Sequence, residues 1–281
     1  MNFSYGSLLS LLSLTTSLSA QASNVPRAKH VVVVIFENED YENAIKNPYF
    51  TSFAERGALA TNFHGETHPS QGNYIALVTG SSQGVRNDAN VDLDVAHIGD
   101  SIEKAGKSWK VYAEGYPGHC FLGAAAGRYV RKHVPFVSFR NVQTDADRCG
   151  RIVDAADLDQ DIAKEALPDF ALYIPDLNND GHDTGVAFAD GWFKRRFETL
   201  LSDRRFMDGT LVIATFDESR KTNPTNHIYT AILGDAVLPG SRLTSNLTHV
   251  NLLKTVEEAL GVPAVGAQDS ASTSFAGIWR N

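Results

Sequence analysis

The chain has 281 residues, 43% of them hydrophobic and 21% charged, a balance that suits one large α/β domain or two small ones and excludes a disordered tail or a collagen-like fibre. With 25 Lys and Arg against 33 Asp and Glu the formal charge is −8, and no basic block interrupts it, which argues against a nucleic-acid-binding role. Two cysteines exclude both a disulfide-scaffold miniprotein and a four-thiolate zinc site. The chain begins with a short polar start, a Leu-rich apolar centre and Ala20-Gln21-Ala22, the small-x-small pattern of a signal-peptide cleavage site. Residues 1–22 are therefore expected to be a signal peptide, with a frayed helix as the alternative, and 27–281 a single domain. No later stretch approaches the ~20 apolar residues of a membrane span, so a secreted product, extracellular or associated with the cell wall and without stable membrane insertion, is expected. In an oxidising compartment Cys120 and Cys149, the sole pair, are expected to bridge. Asn246-Leu247-Thr248 is a glycosylation acceptor, whereas Asn223-Pro224-Thr225 is disqualified by its proline.

Beyond residue 27, short apolar runs alternate with segments of helical period. His30–Phe36 (HVVVVIF) is a continuous β-branched run, the pattern of a strand buried on both faces. Similar runs occupy 109–113, 170–174, 211–216 and 228–233. Helices are expected near 41–56, 73–79, 97–105, 157–166, 186–202 and 249–260, the last with Thr248 as N-cap, Gly261 past its end and Pro263 beyond. This alternation implies a mostly parallel sheet covered on both faces, with the chemistry beyond the carboxyl ends of the strands.

Those strand ends carry the chemistry-bearing residues. The first run delivers Glu37-Asn38-Glu39-Asp40, whose oxygens suit a hard cation. Thr67-His68-Pro69-Ser70-Gln71-Gly72-Asn73-Tyr74 leads into a short helix closed by Gly80, which puts Ser70 at its positive end, where an anion is favoured. A serine there acts as an N-cap or as a nucleophile. The run at 170–174 is followed by Pro175-Asp176-Leu177-Asn178-Asn179-Asp180-Gly181-His182-Asp183, and the run at 211–216 by Asp217-Glu218. Asn226-His227 precedes the last run.

Taken in order, VVVVIFENEDY, THPSQGNYIALVTG, YVRKHVPF, IPDLNNDGHD and TFDES followed by NHIYTAILG resemble the phosphoesterase family of secreted acid phosphatases and phospholipases C, within the alkaline phosphatase superfamily. The resemblance covers about Val31 to Phe275 and is nearest to the fungal acid phosphatases. It implies an α/β three-layer sandwich around a mostly parallel central sheet. It also implies metal ligation by Glu37, Asn38, Asp217 and Glu218, a nucleophile at Ser70 and a phosphate-binding amide at Asn73. His182 and His227 match histidines expected to touch the phosphate or protonate the leaving group, and His133 falls in a motif segment expected to face the substrate.

Two departures stand out. Gly72 replaces the proline usual in Ser-x-Pro-Asn, and Asp217-Glu218 replaces the Asp-His of two-metal relatives, which favours one divalent ion. Oxygen ligation leans toward Ca²⁺ or Mg²⁺, with Zn²⁺ or Mn²⁺ as alternatives. The implied activity is hydrolysis of small phosphate monoesters through a phosphoserine. Rival readings are a phosphodiesterase or phospholipase C on the same site, and a binding protein that has lost catalysis; the second predicts damage to Ser70, Asn73, Glu37 or Asp217, and all four are present.

Overall fold

A computed structural model describes Met1 and residues 25–280, so the expected signal peptide lies outside the described residues. The strands in chain order are β1 (His30–Phe36), β2 (Ala58–His64), β3 (Trp109–Ala113), β4 (Ala125–Ala126), β5 (Tyr129–Val130), β6 (Ile152–Asp154), β7 (Phe170–Ile174), β8 (Thr210–Phe216), β9 (His227–Leu233), β10 (Ser241–Leu243) and β11 (Leu247–Thr248). The main sheet runs β10-β2-β9-β8-β1-β7-β3-β6, with β11 also on β2, while β4 and β5 form a separate hairpin. Only β9 runs against its neighbours, pairing antiparallel with both β8 and β2. The expected mostly parallel sheet is therefore present.

β1 lies between β7 and β8, and from Val31 to Phe36 it is fully buried, as its unbroken apolar run requires. The ring of Phe36 packs against Phe50, Trp192 and Phe193, which join helices Pro48–Arg56 and Val186–Phe197 to one face of the sheet. Helices Gln71–Thr79 and His249–Leu260 pack together over the other face. The second of these has the expected bounds: Thr248 caps it by accepting from the Val250 amide, and Gly261 ends it at φ 71°, where an L side chain is strained.

The helix expected over 41–56 is two pieces, Tyr41–Ala44 and Pro48–Arg56. Pro48 lacks an N–H and forces Asn47 into an extended conformation (ψ 134°), so the chain restarts its helix at the proline. The helix expected over 186–202 stops at Phe197 and resumes as a 3₁₀ turn at Leu200–Ser202. The strand that the apolar pattern misses, β2, is the one that leads into Ser70. Its sequence ALATNFH offers only two large apolar residues, and its pairing with β9 slips between Ala60 and Phe63.

Cys120 and Cys149 are bridged, with Cα atoms 5.5 Å apart, tying the long loop after β3 to helix Ala146–Cys149. Asn246 is exposed, as a glycosylation acceptor must be. Among the described residues no helix is long and apolar enough to cross a membrane. Closing a 29-residue separation should stabilise the fold by about 3–4 kcal/mol in the chain-entropy account. Replacing both cysteines by serine is therefore expected to lower the melting temperature measured by calorimetry; an unchanged melting temperature would show that the loop is held by its other contacts.

Candidate active site

β1, β2, β7 and β8 all point the same way, so the residues after them, 37–40, 65–70, 175–185 and 217–226, meet along one edge of the sheet. The reversed β9 begins at that edge and returns Asn226 and His227 to it. Ser70 precedes helix Gln71–Thr79 with helical backbone angles (φ −44°, ψ −52°), and its side chain makes no capping bond. The hydroxyl points instead into a group of oxygens: Glu218 Oε1 at 3.0 Å, Glu37 Oε2 at 3.1 Å and Asn38 Oδ1 at 3.4 Å. A hydroxyl has one proton and satisfies one of these acceptors at a time; the remaining contacts set lone pairs against one another.

Glu37, Asp217 and Glu218 are all buried, and Asp217 Oδ2 has no hydrogen-bond partner while its Oδ1 accepts from the Asn38 amide at 3.0 Å. Among the described residues no three His, Cys, Asp or Glu side chains are arranged to hold a metal ion by themselves. The converging set becomes a ligand sphere once Ser70 and Asn38 are counted. Its all-oxygen chemistry, surplus negative charge and orphaned Asp217 oxygen fit a hard divalent cation.

The surrounding groups set the charge on each carboxyl. Burial pushes Glu37 up, but His133, Lys132 and the Tyr74 hydroxyl outweigh it and hold the group down at about 2. Tyr74 donates to Glu37 Oε1 at 2.5 Å and its ring stacks on that of His133 at 5.0 Å. His133, itself 1% exposed, sits between Glu37 (3.1 Å) and Asp180 (3.5 Å). Burial and the charge of Glu37 push Asp180 up to about 9. Burial, then Glu37 and Glu218, raise Asp217 well above the usual carboxylate range. Glu218 is also raised, by burial first, with His68 and Ser70 offsetting part of the effect.

Three expected contacts fall elsewhere. The Asn73 side chain accepts from the Glu66 and Thr67 amides and donates to the Thr67 carbonyl (2.7, 3.0 and 2.9 Å), so it braces the loop that presents Ser70. His182 bonds Asp183 through Nδ1 at 2.7 Å and is partly exposed. His227 is stacked between Tyr41 and His64, with its ring nitrogens on Glu42 and the Thr61 carbonyl. Neither histidine contacts Ser70 or its acceptors. The histidine that does reach them is His68, whose Nδ1 bonds Glu218 Oε2 and whose buried Nε2 has no partner. Sequence reasoning passed over it because a histidine two residues before a serine reads as loop; so did Tyr74, whose place in an apolar helix reads as core. The first helical amide, Gln71 N–H, is taken by Asp88 at 3.1 Å rather than left open. Gly72 has a volume reason: a Cβ there would lie 2.5 Å from Thr67 Cγ2 and 2.9 Å from the Val85 carbonyl, so the proline of the usual motif has no room.

The sequence pattern of the Phosphoesterase family matches residues 43–263. The chain belongs to this family. It is 33% identical to a probable acid phosphatase of Kluyveromyces lactis, over 90% of this chain and 64% of that protein. It is 32% identical to an acid phosphatase of Aspergillus fumigatus, over 84% of this chain and 56% of that protein. The chain thus spans between 56% and 64% of the length of these fungal relatives. A phosphatidylinositol-3-phosphatase of Mycobacterium tuberculosis is 32% identical, over 89% of this chain and 83% of that protein. Solved structures share the fold: an alkaline phosphatase superfamily protein from Vibrio parahaemolyticus (TM-score 0.64, 12% identity, 90% of this chain and 72% of that one) and a lipoteichoic acid synthase from Listeria monocytogenes (TM-score 0.60, 12% identity, 90% and 78%).

The carboxyl shifts make a prediction with a definite sign. Asp180, Asp217 and Glu218 are raised, so above pH ~4 the folded chain binds protons that the unfolded chain has released, and stability falls as pH rises toward 9. Glu37 acts oppositely, its contribution being lost only as pH falls below its ordinary value toward about 2. Chelator-treated protein should therefore melt at a lower temperature at pH 8 than at pH 5, and added divalent cation should raise the pH 8 value more. A flat profile in chelator would mean that these carboxyls ionise freely.

Proposed function

We propose that the chain is a secreted phosphoric ester hydrolase that cleaves phosphate monoesters, with Ser70 as nucleophile and a phosphoserine intermediate. The observation that carries this reading is the Ser70 hydroxyl, buried at a helix start and directed into Glu37, Asn38 and Glu218. A serine serving only as a cap would bond the helix amides, and this one does not. The names of the fungal and mycobacterial relatives, all phosphatases, support a monoester over the diester alternative. The leader-like N-terminal stretch and the disulfide support secretion.

Glu37, Asn38, Asp217 and Glu218 would hold one divalent cation beside Ser70. When bound, it supplies positive charge that favours the serine alkoxide and neutralises phosphoryl oxygens. In the residues' own chemistry, Ser70 Oγ passes its proton to Glu218 Oε1 and attacks phosphorus, while the leaving alkoxide takes a proton from His68 Nε2. Glu218 orients that imidazole through Nδ1. Water then attacks the phosphoserine, giving its proton back to His68, and Ser70 recovers its own from Glu218. His68 thus takes the acid role that the motif resemblance gave to His182 or His227. Asn73 and His133 act as positioning residues, the first on the nucleophile loop and the second on Glu37 and Asp180.

Ser70→Ala is expected to abolish turnover of p-nitrophenyl phosphate while leaving the circular-dichroism spectrum and melting temperature nearly unchanged; retained turnover would remove the nucleophile. Asp217→Asn should lower bound metal, measured by mass spectrometry, together with the rate, and excess metal should restore part of the rate. His68→Ala should reduce kcat by roughly 10²–10⁴-fold, the range of general acid catalysis, with His227→Ala close to wild type. The reverse order would return the acid role to His227.

A further inference from the structure

Resting on the phosphoesterase reading, we propose that Lys132 is the specificity-determining residue that selects dianionic phosphate monoesters over monoanionic diesters, with Asp88 holding its place until substrate arrives. Lys132 lies in the 3₁₀ turn Arg131–His133. On one side of it, buried Arg131 is bolted to the Leu122 and Val91 carbonyls and to Asp92. On the other, His133 is wedged between Glu37 and Asp180. The lysine is thereby fixed at the site, its side chain 19% exposed.

Its ammonium bonds Asp88 Oδ2 at 2.9 Å, and Asp88 Oδ1 accepts from the Gln71 amide at 3.1 Å. Gln71 directly follows Ser70. One carboxylate therefore bridges a lysine and a backbone N–H beside the nucleophile, the arrangement that two terminal phosphoryl oxygens would also satisfy. The charges of Glu37 and Asp217 act on Lys132 as well, which puts its ammonium within electrostatic range of the oxygen cluster around Ser70. The other cation at this edge, Arg220, is exposed and paired with Glu39.

Charge then decides which ester enters. A monoester phosphoryl group carries close to two negative charges at neutral pH and can displace a carboxylate that carries one. A diester carries a single charge and has one fewer terminal oxygen, so exchanging it for Asp88 gains nothing at Lys132. Asp88, only partly buried, can turn to water once displaced.

The test compares p-nitrophenyl phosphate with bis-p-nitrophenyl phosphate at pH 7 on the full chain. Lys132→Met should lower kcat/KM for the monoester by about 10- to 100-fold, the size of a lost charge-assisted hydrogen bond, and for the diester by less than about 3-fold. Lys132→Arg should recover most of the monoester rate. Asp88→Asn should lower the inhibition constant of inorganic phosphate and leave diester turnover unchanged. Equal losses on both esters, or an unchanged monoester rate, would overturn the proposal. If Lys132→Met does not fold, the phosphate inhibition constant of Asp88→Asn decides alone: a fall supports the proposal, and no fall overturns it. A wild-type chain that cleaves neither ester overturns the phosphoesterase reading and this inference with it.

Discussion

Negative charge crowded into a buried place is the constraint around which this molecule is arranged. Glu37, Asp217 and Glu218 stand at the ends of β1 and β8, the two innermost parallel strands, where water cannot solvate them. Leaving such groups charged and unpaired costs several kcal/mol each. The fold answers with His133 and Tyr74 on Glu37, His68 on Glu218, the charge of Lys132 nearby, and a carboxyl at Asp180 that holds its proton. What is left uncompensated, chiefly Asp217 Oδ2, is where a cation has most to gain.

The parts of this arrangement legible in the sequence are those that one strand carries alone. β1, β7 and β8 are buried on both faces and so appear as unbroken apolar runs, and the residues that follow them are read off directly as Glu37, Asp180 and Asp217-Glu218. Their meeting at one edge follows from parallel order. β2 escaped because its burial is shared with β9 across an irregular pairing, so small residues suffice and its sequence has no strong period. Pro48 showed where a helix cannot continue, yet the helical period on either side of it reads as a single element.

Side-chain direction was the harder quantity. His68, His182 and His227 all lie near the same edge, and sequence order does not say which ring turns inward. His227 is drawn outward by the stack with Tyr41 and His64 and by two acceptors, and His182 by Asp183. Asn73 was expected at the phosphate because it sits one helical turn from Ser70; the bent loop ahead of the serine claims its amide first. In each case a local bond, invisible without the third dimension, outcompetes the role that spacing alone suggests.

Asn226 joins these pieces mechanically. Its side chain accepts from the Ser219 amide at 2.8 Å and donates to the Thr67 carbonyl at 3.1 Å, and the same Thr67 carbonyl receives Asn73. Its backbone carbonyl accepts from Gly65, where a Cβ would collide with the Asn226 amide. The loop carrying Glu218 and the loop carrying Ser70 are thus riveted through one asparagine. They can shift together but not separately, so the spacing between nucleophile and carboxylate stays constant through a turnover. Admission of an ester and escape of phosphate then fall to segments outside the rivet, the exposed stretch 220–225 and the disulfide-tethered loop after β3, which makes the reacting centre the stator of this enzyme and its rim the moving part.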